Sequence, residues 1–193
     1  MLLAFTITAF AAVQSDSCPA PHRSGTIILD DDAAPDGAAY VLTEGNQYVC
    51  WWVIAEGGDG TIRHRWSRQA RFPTRVEALS DGRAVFVMDD LRLQIRHPDD
   101  REYRNLALTL PGNPDVVLAH GRRDWLAVTV PVDSETNRAL LIDIDREKVI
   151  ASIALPSQAL SVSFVNDQDV LYLDGAHSLV LSEMGFTALR QSP

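Results

Sequence analysis

The sequence predicts an all-β chain of three to four repeated units, each a sheet of four antiparallel strands. Three observations carry this. Apolar residues alternate with a period of two along most of the chain. The alternating runs are short and are separated by polar turns rich in Gly, Asp and Asn. The stretch beginning at Leu110, LPGNPDVVLAHGRRDWLAV, also matches without gaps the stretch beginning at Leu155, LPSQALSVSFVNDQDVLYL, 45 residues further on.

The units are expected at about residues 24–72, 73–110, 111–155 and 156–193. In the first, GTIILDD, AAYVLTEG, QYVCWWVIAEG and TIRHRWSRQ read as strands, with turn signals at Gly45-Asn46 and at Gly57-Gly58-Asp59-Gly60. This unit is degenerate and aligns poorly with the others. In the second, RVEALSDGRAVFV matches the region around Val117 at an offset of 41, placing Val76 on Val117, Ala78 on Ala119 and Val85 on Leu126. Its later strands are LRLQI and RNLALTL.

The third unit is the clearest. WLAVTVPV is dense in β-branched and aromatic residues, DSETN is a polar break, and RALLIDID alternates. Leu140, Ile142 and Ile144 fall on one face, and Leu141, Asp143 and Asp145 on the other. After the turn DREK, VIASIAL places Val149, Ala151, Ile153 and Leu155 together. A helix over residues 138–155 is the rival, since Leu140, Leu141 and Ile144 also fit a 3.6 period. The β-branched density and the turn favour strands. Ile142 and Ile153 are expected to be buried in middle strands. In the fourth unit VSFV, VLYL, LVL and GFTALR repeat the order. Strands apolar on both faces require a sheet covered on both sides. A four-strand unit recurring about every 40 residues has the period of a propeller blade.

SDGRAVFVMDDLRLQIR and RRDWLAVTVPVDSETNRALLIDIDREKVIASIALP resemble blades of the YVTN and WD-repeat-like β-propellers, a likeness that covers about residues 72–193. It implies four-stranded blades arranged about an axis. It also implies two kinds of function: a binding or scaffolding module that offers loops to a protein or small ligand, or a hydrolase or lactonase-like enzyme with a site at the channel mouth. Channel sites draw one residue from each blade and leave no linear motif.

Hydrophobic residues make up 46% of the 193 and charged residues 22%, the balance of a globular protein. A net charge of −9 without a basic stripe argues against nucleic acid and anionic membrane surfaces. Residues 1–23 are expected to hold a signal peptide and N-terminal segment. Residues 2–13 are uncharged and too short to span a bilayer, so no stable membrane span is expected and the protein is assigned to the secreted or periplasmic space. No Lys or Arg precedes that run, which makes the signal atypical. Cys18 and Cys50 suit an exported chain with one disulfide.

No catalytic, cofactor-binding or metal-ligating residue is singled out, and no cofactor is expected. There is no nucleophile elbow and no phosphate-binding glycine loop. Asp30-Asp31-Asp32 with Asp36-Gly37 hints at a calcium loop but lacks the ligand spacing, so a solvated acidic loop is expected. His120 is expected in the core. His97–Glu102 reads as an exposed hairpin tip. Trp51 and Trp52 either form a stacking platform or point to opposite faces of one strand. The apolar character of the first and last units predicts that the chain closes into a four-bladed ring, associates with a protein partner or a second copy, or is a piece of a longer protein.

Overall fold

A computed structural model describes residues 18–120, 122–134, 136–156, 162–165, 170–173, 177–182 and 185–189, from residue 155 onward as backbone. The expected signal segment at residues 2–13 lies outside the described residues.

The described strands form four four-stranded antiparallel sheets, each an up-and-down meander in chain order. The first contains β1 (Ile27–Ala33), β2 (Ala39–Glu44), β3 (Tyr48–Ile54) and β4 (Thr61–Ser67). The second contains β5 (Pro73–Ala78), β6 (Ala84–Met88), β7 (Arg92–Arg96) and β8 (Arg104–Thr109). The third contains β9 (Val116–Ala119), β10 (Trp125–Pro131), β11 (Thr136–Asp143) and β12 (Lys148–Pro156). The fourth contains β13 (Val162–Val165), β14 (Val170–Leu173), β15 (His177–Ser182) and β16 (Gly185–Leu189). The first strands of successive sheets, β1, β5, β9 and β13, lie side by side. This is the arrangement of propeller blades, with first strands innermost.

The internal repeat is a repeat of register. Val117 pairs with Val128 and Ala119 with Leu126. Forty-five residues on, Val162 pairs with Leu173 and Phe164 with Leu171. Residues 138–155 are strand and turn, not helix. One alignment needs correction. Ala78 pairs with Ala84, so Ala84 rather than Val85 corresponds to Leu126. Six residues separate the paired Ala119 and Leu126 but five separate Ala78 and Ala84, which shifts the second strand.

Packing follows the two-faced pattern. Val85, Val87 and Leu93 of the second sheet meet Leu126, Val128, Leu140, Ile142 and Ile144 of the third. On the opposite face, Val76, Ala84, Phe86 and Met88 meet Tyr40, Leu42, Val49 and Trp51 of the first. Trp51 sits between Tyr40 and Phe86, with ring centroids at 5.5 and 5.0 Å and edge-to-face geometry. Trp52 points the other way, against Cys18, Val41 and Cys50. The adjacent tryptophans thus serve two layers, and the stacking-platform alternative falls. Cys18, Pro19 and Ala20 pack on the opposite face of the first sheet. Cys18 and Cys50 are joined by a disulfide with 5.8 Å between Cα atoms. The Trp52 indole donates to Thr43 Oγ1 at 3.0 Å, and that hydroxyl donates to the Pro19 carbonyl at 3.0 Å.

Ile142 is buried, as expected, in the middle strand β11. Ile153 lies instead in the outermost strand β12 and is only partly buried. A bulge opposite Leu141 and Ile142 leaves Ile150 without a partner, and Val149 becomes 38% exposed. The bulge breaks the alternation from which a buried face was predicted.

Candidate functional site

The innermost strands have a free edge, and an edge strand presents backbone N–H groups that need acceptors. Carboxylates of the neighbouring blade provide them. Asp30 Oδ2 accepts from Val76 N and Asp32 Oδ2 from Ala78 N, each at 2.8 Å. One blade further, Glu77 Oε2 accepts from Ala119 N at 3.1 Å. At the outer rim, Glu147 of the third blade accepts from Ala107 N of β8 at 2.8 Å. The expectation of a solvated loop at Asp30–Asp32 is therefore corrected. These residues lie in a strand, and two of the three side chains join blades. Alternation explains the selection: residues 30 and 32 point the same way and residue 31 does not.

Burial and the nearby Asp32 push the Glu77 carboxyl up to about 9, so it holds its proton at neutral pH. Burial also raises Asp30, against the Val76 N–H and the Arg75 guanidinium 3.5 Å away. Three carboxyl groups thus run along adjacent inner strands, but each is engaged by a backbone amide. No metal-binding group of three His, Cys, Asp or Glu occurs among the described residues.

A second feature lies where the turns at one end of the blades converge. A cleft of about 510 Å³ opens between the first two blades. Its walls are the β1–β2 turn (Pro35, Asp36), the β5–β6 turn (Asp81, Gly82) and the β7–β8 tip (His97, Asp99). Tyr40 and Arg63 complete it. Gly82 has φ +83°, a left-handed turn conformation, and its carbonyl accepts the Tyr40 hydroxyl at 2.5 Å. Burial and then Asp36, Asp81 and Asp99 raise the Tyr40 phenol to about 12, so it stays protonated and keeps this bond. Asp36 accepts the Ala38 N–H and shapes its turn. Asp99 is 75% exposed and lies 3.6 Å from Arg63. The cleft is acidic, with Asp36, Asp81 and Asp99 set against Arg63.

At the same end, Arg83 joins blades two and three. It reaches Asp81 at 2.5 Å, Asp145 at 3.0 Å and Asp124 at 3.2 Å. Burial and Asp145 hold the Asp124 carboxyl above the usual range. Burial also acts to raise Asp145, but Arg83 outweighs it and holds that group low.

The remaining residues singled out in the sequence take structural places. His120 is 8% exposed, and its Nδ1 accepts from the Arg122 and Arg123 amides at 3.0 and 3.1 Å. The 97–102 hairpin is a tip, and its His97 and Asp99 also wall the cleft. The cleft itself was missed in the sequence, because its residues come from three separate turns.

No family model matches the sequence and no curated protein matches it. Solved structures do match in fold. A chain of the nidogen/laminin complex superposes with a TM-score of 0.59 at 12% identity over 80% of this chain and 60% of that one. PorZ, an essential bacterial surface component of the type-IX secretion system of Porphyromonas gingivalis, matches with 0.57 at 19% identity, over 88% of this chain and 21% of its own. A protein from Lactobacillus plantarum matches with 0.52 at 11% identity, over 90% and 57%. The chain thus spans less than two thirds of each of these. In fold, the chain is an all-β repeat protein of the β-propeller type, its described strands making four consecutive four-stranded blades.

Proposed function

We propose that the protein is an exported binding or scaffolding module that grips a partner protein at the turn end of its first two blades. The observation that carries this reading is the acidic cleft between Asp36, Asp81 and Asp99. Its carboxylates lie on rigid, hydrogen-bonded turns, which suits recognition of a basic segment. The nidogen/laminin complex offers a precedent for a protein of this fold type in a protein assembly. The Cys18–Cys50 disulfide and the apolar run at residues 2–13 support export. The test is capture from the extracellular or periplasmic fraction of the native host on immobilised wild type and Asp99→Lys. A partner held by the wild type, lost by the variant and released by salt is the expected result. The same proteins on both columns would overturn the reading.

The second reading is a lactonase-like hydrolase, favoured by one observation: Asp30, Asp32 and Glu77 gather along adjacent inner strands. Their engagement with backbone amides favours the structural role over this one. Hydrolysis of lactones or aryl esters that disappears in Glu77→Gln would reverse the order of the two readings.

A further inference from the structure

A second cleft, of about 570 Å³, lies on the flank of the molecule between the outer strands of blades one and two. Its lining is His64 and Trp66 of β4, Ala70 and Arg71 of the inter-blade link, Gln94 of β7, and Tyr103 and Asn105 around the start of β8. Two of these residues carry buried polar atoms without a partner: the Trp66 indole Nε1 and the Gln94 amide Oε1. Each residue is 6% exposed. Buried polar groups are nearly always satisfied, and leaving one donor and one acceptor unpaired in a single cleft is costly. Gln94 is held in place because its Nε2 donates to Asn105 Oδ1 at 2.8 Å. Trp66 is anchored from behind by Phe86, ring centroids 5.1 Å apart.

The rest of the lining is His64, Tyr103, Ala70 and Asn105, with Arg71 as its one charged side chain. His64 packs edge-on to Trp66 at 4.5 Å and faces Tyr103 at 6.3 Å. Burial and the nearby Arg96 lower the His64 pKa to about 4, so the imidazole is neutral. Arg71 is engaged by Asp90 at 2.7 Å. In a chain of net charge −9, this cleft has no carboxylate in its wall.

We propose that this cleft is a binding site for a neutral sugar unit of a glycan. The proposal rests on reading the protein as a binding module but concerns a different face. A sugar offers both a hydroxyl donor for Gln94 Oε1 and a hydroxyl acceptor for Trp66 Nε1. Its apolar C–H face suits the Tyr103 ring, which is 47% exposed. The two unpaired atoms lie below the water-accessible surface, so a neighbouring side chain must shift for a sugar to reach them. A peptide fits less well, because Ala70 is the only aliphatic residue in the lining and no pocket waits for an anchor side chain. An anion fits less well, because Arg71 is already paired.

The experiment is a tryptophan-fluorescence titration of the full chain with cellobiose, maltose, lactose and N,N′-diacetylchitobiose. Wild type is compared with Tyr103→Ala, Gln94→Leu and Trp66→Phe. At least one disaccharide should give a saturable change, with little dependence on salt between about 0.05 and about 0.5 M, as uncharged recognition requires. Tyr103→Ala, at an exposed site that leaves the core intact, should weaken binding by about tenfold, and Gln94→Leu by at least as much. Asp99→Lys at the other cleft should change nothing, so the fate of this site is read separately from that of the turn-end site. Absence of saturation by all four sugars, binding that survives Tyr103→Ala and Gln94→Leu, or capture through these residues of peptides but not sugars would each overturn the proposal.

Discussion

Glu77 of β5 accepts the backbone N–H of Ala119 of β9 at 3.1 Å and thereby links the inner edges of blades two and three. It does so as a protonated carboxyl, its pKa raised to about 9 by burial and Asp32. In the unfolded chain the same group titrates near 4.5. Between these values the native state holds a proton that the unfolded state has released. Stability should therefore fall as pH rises through that window. Glu77→Gln keeps an acceptor for Ala119 and cannot ionise. It should flatten the pH dependence and gain roughly 1–3 kcal/mol at about pH 8. Urea unfolding across pH checks this, and parallel pH profiles for the two proteins would contradict it.

Arg83 answers three carboxylates from two blades. Arg83→Ala leaves them facing one another, and Asp124 is the most enclosed. A loss of about 1–2 kcal/mol is expected in urea unfolding, since the site is partly solvated and the gain from each pair is small. The loss should shrink at low pH, where the carboxylates are neutral. A loss that does not change with pH would show that Arg83 acts through packing alone.

The disulfide holds residues 18–20 against the first blade, across a sequence separation of 32. Reduction, or Cys18→Ala with Cys50→Ala, should cost about 2–4 kcal/mol and expose Trp52. Red-shifted fluorescence with a lowered urea midpoint is the expected readout. Alkylation of both thiols without reductant, read in the intact mass, would count against the bond.

Ile142 and Ile153 should differ. Ile142 is 1% exposed, and Ile142→Ala should cost about 2–5 kcal/mol. Ile153 is partly buried on an edge strand, and its truncation should cost about half as much. Asp99→Ala, at a side chain 75% exposed, should stay within about 0.5 kcal/mol. Equal losses at the two isoleucines would contradict the edge position of β12. Thermal or urea unfolding of the three variants decides.

The sequence alone determined the strands and the four-strand unit. These follow from local properties: period-two alternation, turn residues and a repeat that conserves pairing register from Val117–Val128 to Val162–Leu173. Local pattern could not settle which strand of a unit is an edge. Ile153 alternates like a core residue, yet it lies beyond a bulge on the outermost strand. It also could not reveal what Asp30, Asp32 and Glu77 do. Their partners are amides 40 or more residues away, on another blade's edge. The two clefts are hidden for the same reason. Asp36, Asp81 and Asp99, or Trp66, Gln94 and Tyr103, share a wall only because successive blades stack face to face. That proximity is a property of the stacked sheets, and no single stretch of chain encodes it.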